Sequence, residues 1–310
     1  MEDYPRDLLE LEARFSSEQA CRAYLFSLRW REGFLCPRCG QSEVWPLSDG
    51  LLECARCHRQ TSVTAGTIFQ DSRLPLTLWF RAVWWVTSTK NGVSAMNLQR
   101  VLGLRSYKTA WTVLHKLRRA MVRPGRDRLS GRVEVDETFV GGLEEGFRGR
   151  QRETKALIAV AAEEDGAGIG RIRMRHILDA SAESLMPFIE DSIEPGSVVH
   201  TDGWRGYHPL KTRGYLHEVT RIRRQEEPAS ALMPRVHRVA SLLKRWLLGT
   251  HQGAVSQEHL DAYLDEFTFR FNRRKSRSRG KLFYRLLEQA VAIEPAPYKS
   301  LVKCSAKPDF

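Results

Sequence analysis

The sequence predicts a multidomain α/β protein, with an N-terminal helix and metal ribbon, a helical pair, and a mixed α/β domain. Three observations carry this. Two Cys-x-x-Cys pairs stand between residues 36 and 57, with helical apolar spacing before and after them. From residue 131 to about 295, strand-like and helix-like runs alternate. The 310 residues leave room for two or three domains with at least one sizeable core. The expected divisions are a helical segment at 1–31, a ribbon at 32–72, a helical region at 73–125, the α/β domain at 131–295 and a loosely ordered tail at 296–310. The stretch RPGRDRLSGR at 123–132 reads as a linker.

The first segment places Leu8, Leu9, Leu11 and Phe15, then Ala20, Tyr24, Leu25 and Leu28, at helical spacing. The ribbon follows as Cys36-Pro-Arg-Cys39-Gly and Cys54-Ala-Arg-Cys57, with fourteen residues between the pairs. Each turn can aim two thiolates at one ion, and two turns complete a tetrahedral zinc site. Gly40 suits the tight turn after the second cysteine. A closed four-thiolate site keeps no open position, so its zinc holds the fold and does no chemistry. His58 reads as a neighbour. Arg38, Arg56 and Arg59 fit phosphate contacts and a solvated basic face equally. Cys21 and Cys304 remain as plain thiols.

Residues 76–90 are apolar enough for a largely buried helix. After Asn91-Gly92, Ser94 caps a short helix over 95–102, Gly103 breaks it, and a second helix starts near Ser106 with Ala110, Val113, Leu114 and Leu117 inward. Two helices with a short glycine-containing turn make a helix-turn-helix, although an ordinary helical hairpin reads the same way. As a DNA reader, the second helix would present Ser106, Tyr107, Lys108, Thr109, Thr112 and Lys116, with Arg118 and Arg119 adding basic character.

In the α/β domain, Gly131-Arg-Val-Glu-Val-Asp-Glu alternates strictly, with Val133 and Val135 on one face and Glu134 and Asp136 on the other. Gly141-Gly142 ends that strand. An acid inside an apolar strand is costly unless paired or bound to metal. ALIAVAA at 156–162 reads as a buried strand and RIRMRHILDA at 171–180 as a third. Ser197-Val-Val-His-Thr-Asp carries Asp202 at a strand end, with Tyr207 soon after. Two such acids can bracket divalent ions that keep positions open for phosphate. A helix from Val236 to Trp246 puts His237 and Lys244 on one face, two turns apart. The imidazole can reach a metal there and the ammonium a phosphate, and a surface histidine is the plain alternative. Further on, Tyr263, Phe267, Phe269 and Phe271 read as core, and Arg273, Arg274, Lys275, Arg277, Arg279 and Lys281 as a run that meets DNA or simply solvent.

Composition limits the function. Lys and Arg total 49 against 37 Asp and Glu, a formal charge of +12, which favours a polyanionic partner. No run approaches the ~18 apolar residues of a membrane span, so no membrane partner is expected. The acidic, polar opening MEDYPRDLLE reads as no secretory leader. Paired cysteines in a sparse set of six point to metal in a reducing compartment.

The runs EVDETFVGG, VHTDGWRGY, HRVASLLKRWLLGTHQG and YLDEFTFRFNRR resemble the zinc-ribbon transposases of bacterial insertion sequences. The resemblance spans about residue 15 to residue 290. It implies an RNase H-like catalytic domain of the DDE type, with Asp136 and Asp202 as the first two ligands of catalytic Mg²⁺ or Mn²⁺. His237 falls where many relatives carry Glu, seven residues before a basic residue, here Lys244; branches with His or Asn there belong to the same family. Neutral imidazole tolerates Mn²⁺ better than Mg²⁺. Glu134, Glu137 and Glu218 remain open as substitutes for this ligand. The resemblance also implies terminal inverted repeats and target DNA as double-stranded partners. It implies a homodimer or larger assembly that handles two ends together, at work in the bacterial cytoplasm on the nucleoid. Lys108, Lys116, Arg118, Arg119, Arg245, Arg273, Arg274, Lys275 and Arg277 are the expected DNA contacts. The alternatives are a non-cutting DNA-binding regulator descended from a transposase and an RNase H-like nuclease without strand transfer.

Overall fold

The computed structural model describes residues 2–141, 155–221, 228–253 and 255–302. Gly142 and Cys304 lie outside these. In chain order the elements are α1 (Leu8–Arg14), α2 (Glu18–Arg29), β1 (Val44–Pro46), β2 (Leu52–Cys54), β3 (Gln60–Thr61), α3 (Leu76–Ser88), α4 (Ala95–Val101) and α5 (Tyr107–Ala120). Then come β4 (Arg132–Val140), β5 (Ala156–Asp165), β6 (Gly168–Ile177), α6 (Ala182–Ser192), β7 (Val198–Thr201), a 3-10 stretch over Arg205–Arg213, and β8 (Leu216–Val219). The chain continues with α7 (Ala229–Leu232), α8 (Pro234–His251), α9 (Leu260–Asn272), α10 (Arg279–Ala290) and α11 (Tyr298–Val302). Two compact units result, Met1–Arg123 with Ser276–Phe310, and Pro124–Lys275.

In the first unit, Asp7, Ser17, Ser94 and Ser106 each cap a helix with a side-chain oxygen, satisfying a backbone donor that the first turn leaves unpaired. The strands β1, β2 and β3 form a small antiparallel sheet. An aromatic cluster holds the helices together: Phe15 lies 4.9 Å from Tyr24 and 4.8 Å from Phe80, and Phe283 lies 5.7 Å from Phe80 and 5.9 Å from Trp84, by ring centroids. Phe283 belongs to α10. The grouping of residues 131–295 into one domain is therefore corrected: the α/β unit stops at Lys275, and α10 joins the N-terminal helices. Gly280 permits the close approach, since a Cβ there would run into the backbone of Pro5. The tail also differs from expectation, because α11 forms and buries Leu301, with Ala296 buried before it. Cys21 is fully buried, and burial, then Glu18, pushes its thiol up to about 12.

The second unit is a five-stranded sheet in the order β6-β5-β4-β7-β8. The β6–β5 and β5–β4 pairs are antiparallel, while the β4–β7 and β7–β8 pairs are parallel. Helices cover both faces, so ALIAVAA is buried throughout. Leu157, Ala159 and Ala161 join Val133, Val135 and the α6 residues Leu185 and Phe188 on one side. Ile158, Val160 and Ala162 pack on the other side against Val239 and Leu243 of α8 and Tyr263 and Phe267 of α9. This mixed sheet is consistent with an RNase H-like domain. The expected linker is partly core: Leu129 is fully buried and bridges Ile193. Strand β4 ends at Val140, before Gly141 with φ 145°.

Candidate functional site

The acidic centre is built on β4. Strand alternation sends Val133 and Val135 into the α6 side of the core and turns Glu134 and Asp136 toward α8. The neighbouring parallel strand pairs Arg132↔Val198, Val133↔Val199 and Glu134↔His200. Continued two residues, this register brings Asp202 level with Asp136. Just past β7, Asp202 Oδ1 accepts the Trp204 N–H at 2.9 Å in a tight turn. Gly203 sits at φ 77°, and a Cβ there would strike Val219, so the turn requires glycine.

Tyr207 packs in the core on the α6 side of the sheet, with Val133 and Val135. It is fully buried and donates its hydroxyl to Glu137 Oε1 at 2.5 Å. Burial, then the charges of Glu137, Asp136 and Asp202, raises its titration well above the ordinary phenol value, so the phenol remains a donor.

Helix α8 supplies the imidazole. His237 Nε2 is 3.7 Å from Asp136 Oδ2, too long for a hydrogen bond, and it is buried with no hydrogen-bond partner. Burial first, and the nearby Lys244 charge in addition, lowers the His237 pKa against the opposing effect of Glu134. The shift favours the neutral ring, the form with a lone pair to give a metal. The 3.7 Å gap suits two ligands of one ion that each sit ~2.1 Å from it. An unpartnered buried nitrogen beside a carboxylate, level with a second carboxylate, thus fits a divalent cation. The three donors do not all lie within 4.8 Å of one another; among the described residues, only the four cysteines form such a cluster. Lys244 occupies the same face of α8, and its pKa is lowered by burial, then by Lys155, while Asp136 opposes the shift.

The substitutes for the third ligand are otherwise engaged. Glu134 accepts from the first turn of α8, Glu137 from Tyr207, and Glu218 pairs with Arg132 at 2.6 Å. Sequence reasoning missed the first two pairings, because alternation shows which way an acid points and not what meets it.

At the ribbon, the sulfurs of Cys36, Cys39, Cys54 and Cys57 lie within 4.8 Å of one another, with Cys36–Cys57 and Cys39–Cys54 both at 3.6 Å. These separations far exceed a disulfide of about 2.05 Å and approach the ~3.8 Å edge of a tetrahedron with 2.3 Å Zn–S bonds. The donor set supports a structural zinc. Gly40, at φ 70°, donates its N–H to Cys36 O at 2.9 Å and closes the first knuckle. His58 bonds Glu53 at 3.1 Å and stands outside the cysteine cluster. Arg38, Arg56 and Arg59 are exposed. Phe26 of α2 and Trp30 at its C-terminal cap pack behind the knuckles with Phe34.

The helix-turn-helix region forms as α4 and α5, and Lys108, Arg119 and Arg245 are exposed among the expected DNA contacts. Two expected contacts are corrected. Lys116 is buried and donates to Gln70 O at 3.2 Å, and Arg118 is 2% exposed and bonded to His115. Helix α5 packs against α3, α4, α10 and α11, so residues outside its inward stripe are covered too. The Lys108 ammonium sits 3.9 Å from the Tyr298 ring centre. The basic run is divided between the units at Lys275. Arg273 stacks on Phe269, Arg274 donates to Gly170 O at 3.2 Å, Lys275 pairs with Asp165 at 2.5 Å, and Arg277 is exposed.

No helix among the described residues is long and apolar enough to cross a membrane. Residues 128–272 match the ISXO2-like transposase domain, and residues 16–60 match the transposase zinc-ribbon domain. The second match takes in α2, as its packing behind the knuckles explains. The chain is also 30% identical over 284 residues to an uncharacterized protein in transposable element ISH50 of Halobacterium salinarum, covering 83% of this chain and 91% of that protein. Ribbon, mixed sheet and relatives agree, and the chain belongs to the zinc-ribbon transposase family of insertion sequences.

Proposed function

We propose that this transposase binds the terminal inverted repeats of its element and cuts and joins DNA strands with divalent ions held by Asp136, Asp202 and His237. The observation that carries this reading is the buried, unpartnered Nε2 of His237, 3.7 Å from Asp136. Bound Mg²⁺ or Mn²⁺ supplies Lewis-acid activation of the attacking oxygen and stabilisation of the leaving one. The aspartates provide hard oxygen donors, and His237 provides a neutral nitrogen that favours Mn²⁺. Lys244, on the same face of α8, offsets charge on the phosphate under attack. The 3′-hydroxyl freed by cleavage would then attack a target phosphodiester, displacing the target strand's 3′-oxygen.

The ribbon and α4–α5 hold the element end, with Lys108, Arg119, Arg277 and the knuckle arginines on phosphates and Arg245 near the cut. A homodimer or larger assembly brings two ends together. The work is done in the cytoplasm on nucleoid DNA, where thiolates stay reduced. The test incubates the protein with a fragment carrying one element end in Mg²⁺ and in Mn²⁺ and maps cuts on both strands. Cleavage at the element boundary, lost in Asp136→Asn, Asp202→Asn and His237→Ala, is expected. Specific binding without cutting in either metal would replace this reading with a regulator.

A further inference from the structure

We infer that Glu134 and Arg235 are positioning residues, a buried carboxylate and its half-buried arginine partner that fix the register of α8 on β4 and thereby hold His237 beside Asp136. This rests on the metal-site reading above. Glu134 is 1% exposed. Its carboxylate accepts the Arg235 N–H at 2.8 Å, the Val236 N–H at 3.0 Å and the Arg235 guanidinium at 2.9 Å. The two amides belong to the first turn of α8, whose donors have no partner within the helix, and no side chain of the preceding residue caps them. A carboxylate from the sheet fills that role, and its charge suits the positive end of the helix dipole.

Arg235 fastens the same turn to the β5–β6 hairpin. It donates to Gly168 O at 3.1 Å and Gly166 O at 2.9 Å, and lies 3.0 Å from Glu164. The spacing then does the rest. Asp136 is two residues beyond Glu134 on the same strand face, and His237 is two residues beyond Arg235. A slip of α8 by one residue would turn each side chain ~100° and shift it ~1.5 Å, carrying the imidazole off Asp136. With its oxygens committed to α8, Glu134 acts through His237 rather than as a ligand.

The test titrates Mn²⁺ into the full-length, zinc-loaded chain and reads bound metal by electron paramagnetic resonance. The variants are Glu134→Gln, Asp136→Asn, His237→Ala and the Glu134→Gln/His237→Ala double. Glu134→Gln is expected to weaken Mn²⁺ binding about 10- to 100-fold with zinc content unchanged, as loss of a ligand-orienting partner does. In the His237→Ala background it should cost nothing further, which a ligand or a general fold defect would not produce. Wild-type affinity in Glu134→Gln while Asp136→Asn fails to bind overturns the inference, and so does a full additional loss in the double variant. Wild-type affinity in both Asp136→Asn and His237→Ala overturns the metal-site reading itself, and this inference with it. Should Glu134→Gln not fold, Glu134→Asp, which keeps the charge but shortens the reach, enters the same cycle with the same expectation.

Discussion

The zinc ribbon and the acidic centre gather their donors by opposite routes. The ribbon takes four thiols from two short turns between Cys36 and Cys57, and those turns need only local hydrogen bonds and Gly40. The acidic centre takes Asp136 from β4, Asp202 from the end of β7 and His237 from α8, so its geometry exists only once sheet and helix are packed. The first site is closed and suited to holding structure. The second depends on parallel register, a glycine turn and a helix anchored by Glu134. The contrast teaches that a four-thiolate site can be encoded over a short stretch, whereas the centre proposed for phosphate chemistry draws on the whole domain.

The strongest way to break the contrast is to remove the zinc. Chelation or Cys39→Ser should unfold the ribbon, since such sites contribute ~10–16 kcal/mol in isolated fingers. Circular dichroism and metal analysis should show the loss, and binding to element ends should go with it. If the ribbon stays folded without metal, its fold does not depend on the thiolate site. Next, Asp136→Asn should lower cleavage by about 10³-fold, the several kcal/mol a catalytic ion supplies, while zinc content and end binding persist. Loss of end binding in that variant would tie the two sites together.

A third test concerns packing. Phe283→Ala should cost roughly 3–5 kcal/mol in denaturant unfolding, because its ring is fully buried in the aromatic cluster of the first unit. A cost under about 1 kcal/mol would show that α10 does not anchor that unit. The smallest effect separates two charges on one helix. Arg119→Ala should reduce the slope of log affinity against log salt by about one, and Lys116→Met should leave it unchanged, since Lys116 is buried against Gln70. Equal slopes for the two variants would break the distinction.

Much of this was readable in the residues. The cysteine spacing gave the ribbon, Ser94 and Ser106 gave the starts of α4 and α5, and continuous burial of ALIAVAA matched a strand covered on both faces. The unread parts share one feature, a partner distant in sequence. Lys116 and Arg118 look like surface bases until neighbouring helices cover α5. Residues 279–290 follow the α/β domain in sequence, yet Phe283 packs among Phe15, Tyr24 and Phe80. Leu129 looks like linker until it bridges Ile193.

By itself the sequence determined the elements, the zinc ligands and the faces on which Asp136 and His237 stand. Those follow from period, capping and thiolate chemistry, which act over a few residues. Only the tertiary structure decided that β4 and β7 run parallel with Glu134 opposite His200, that His237 Nε2 is left unpartnered near Asp136, and that Glu134 caps the first turn of α8. The reason is physical: what a buried charge does depends on the group that desolvates and pairs it, and here that group lies 101 residues away, as Arg235 does from Glu134.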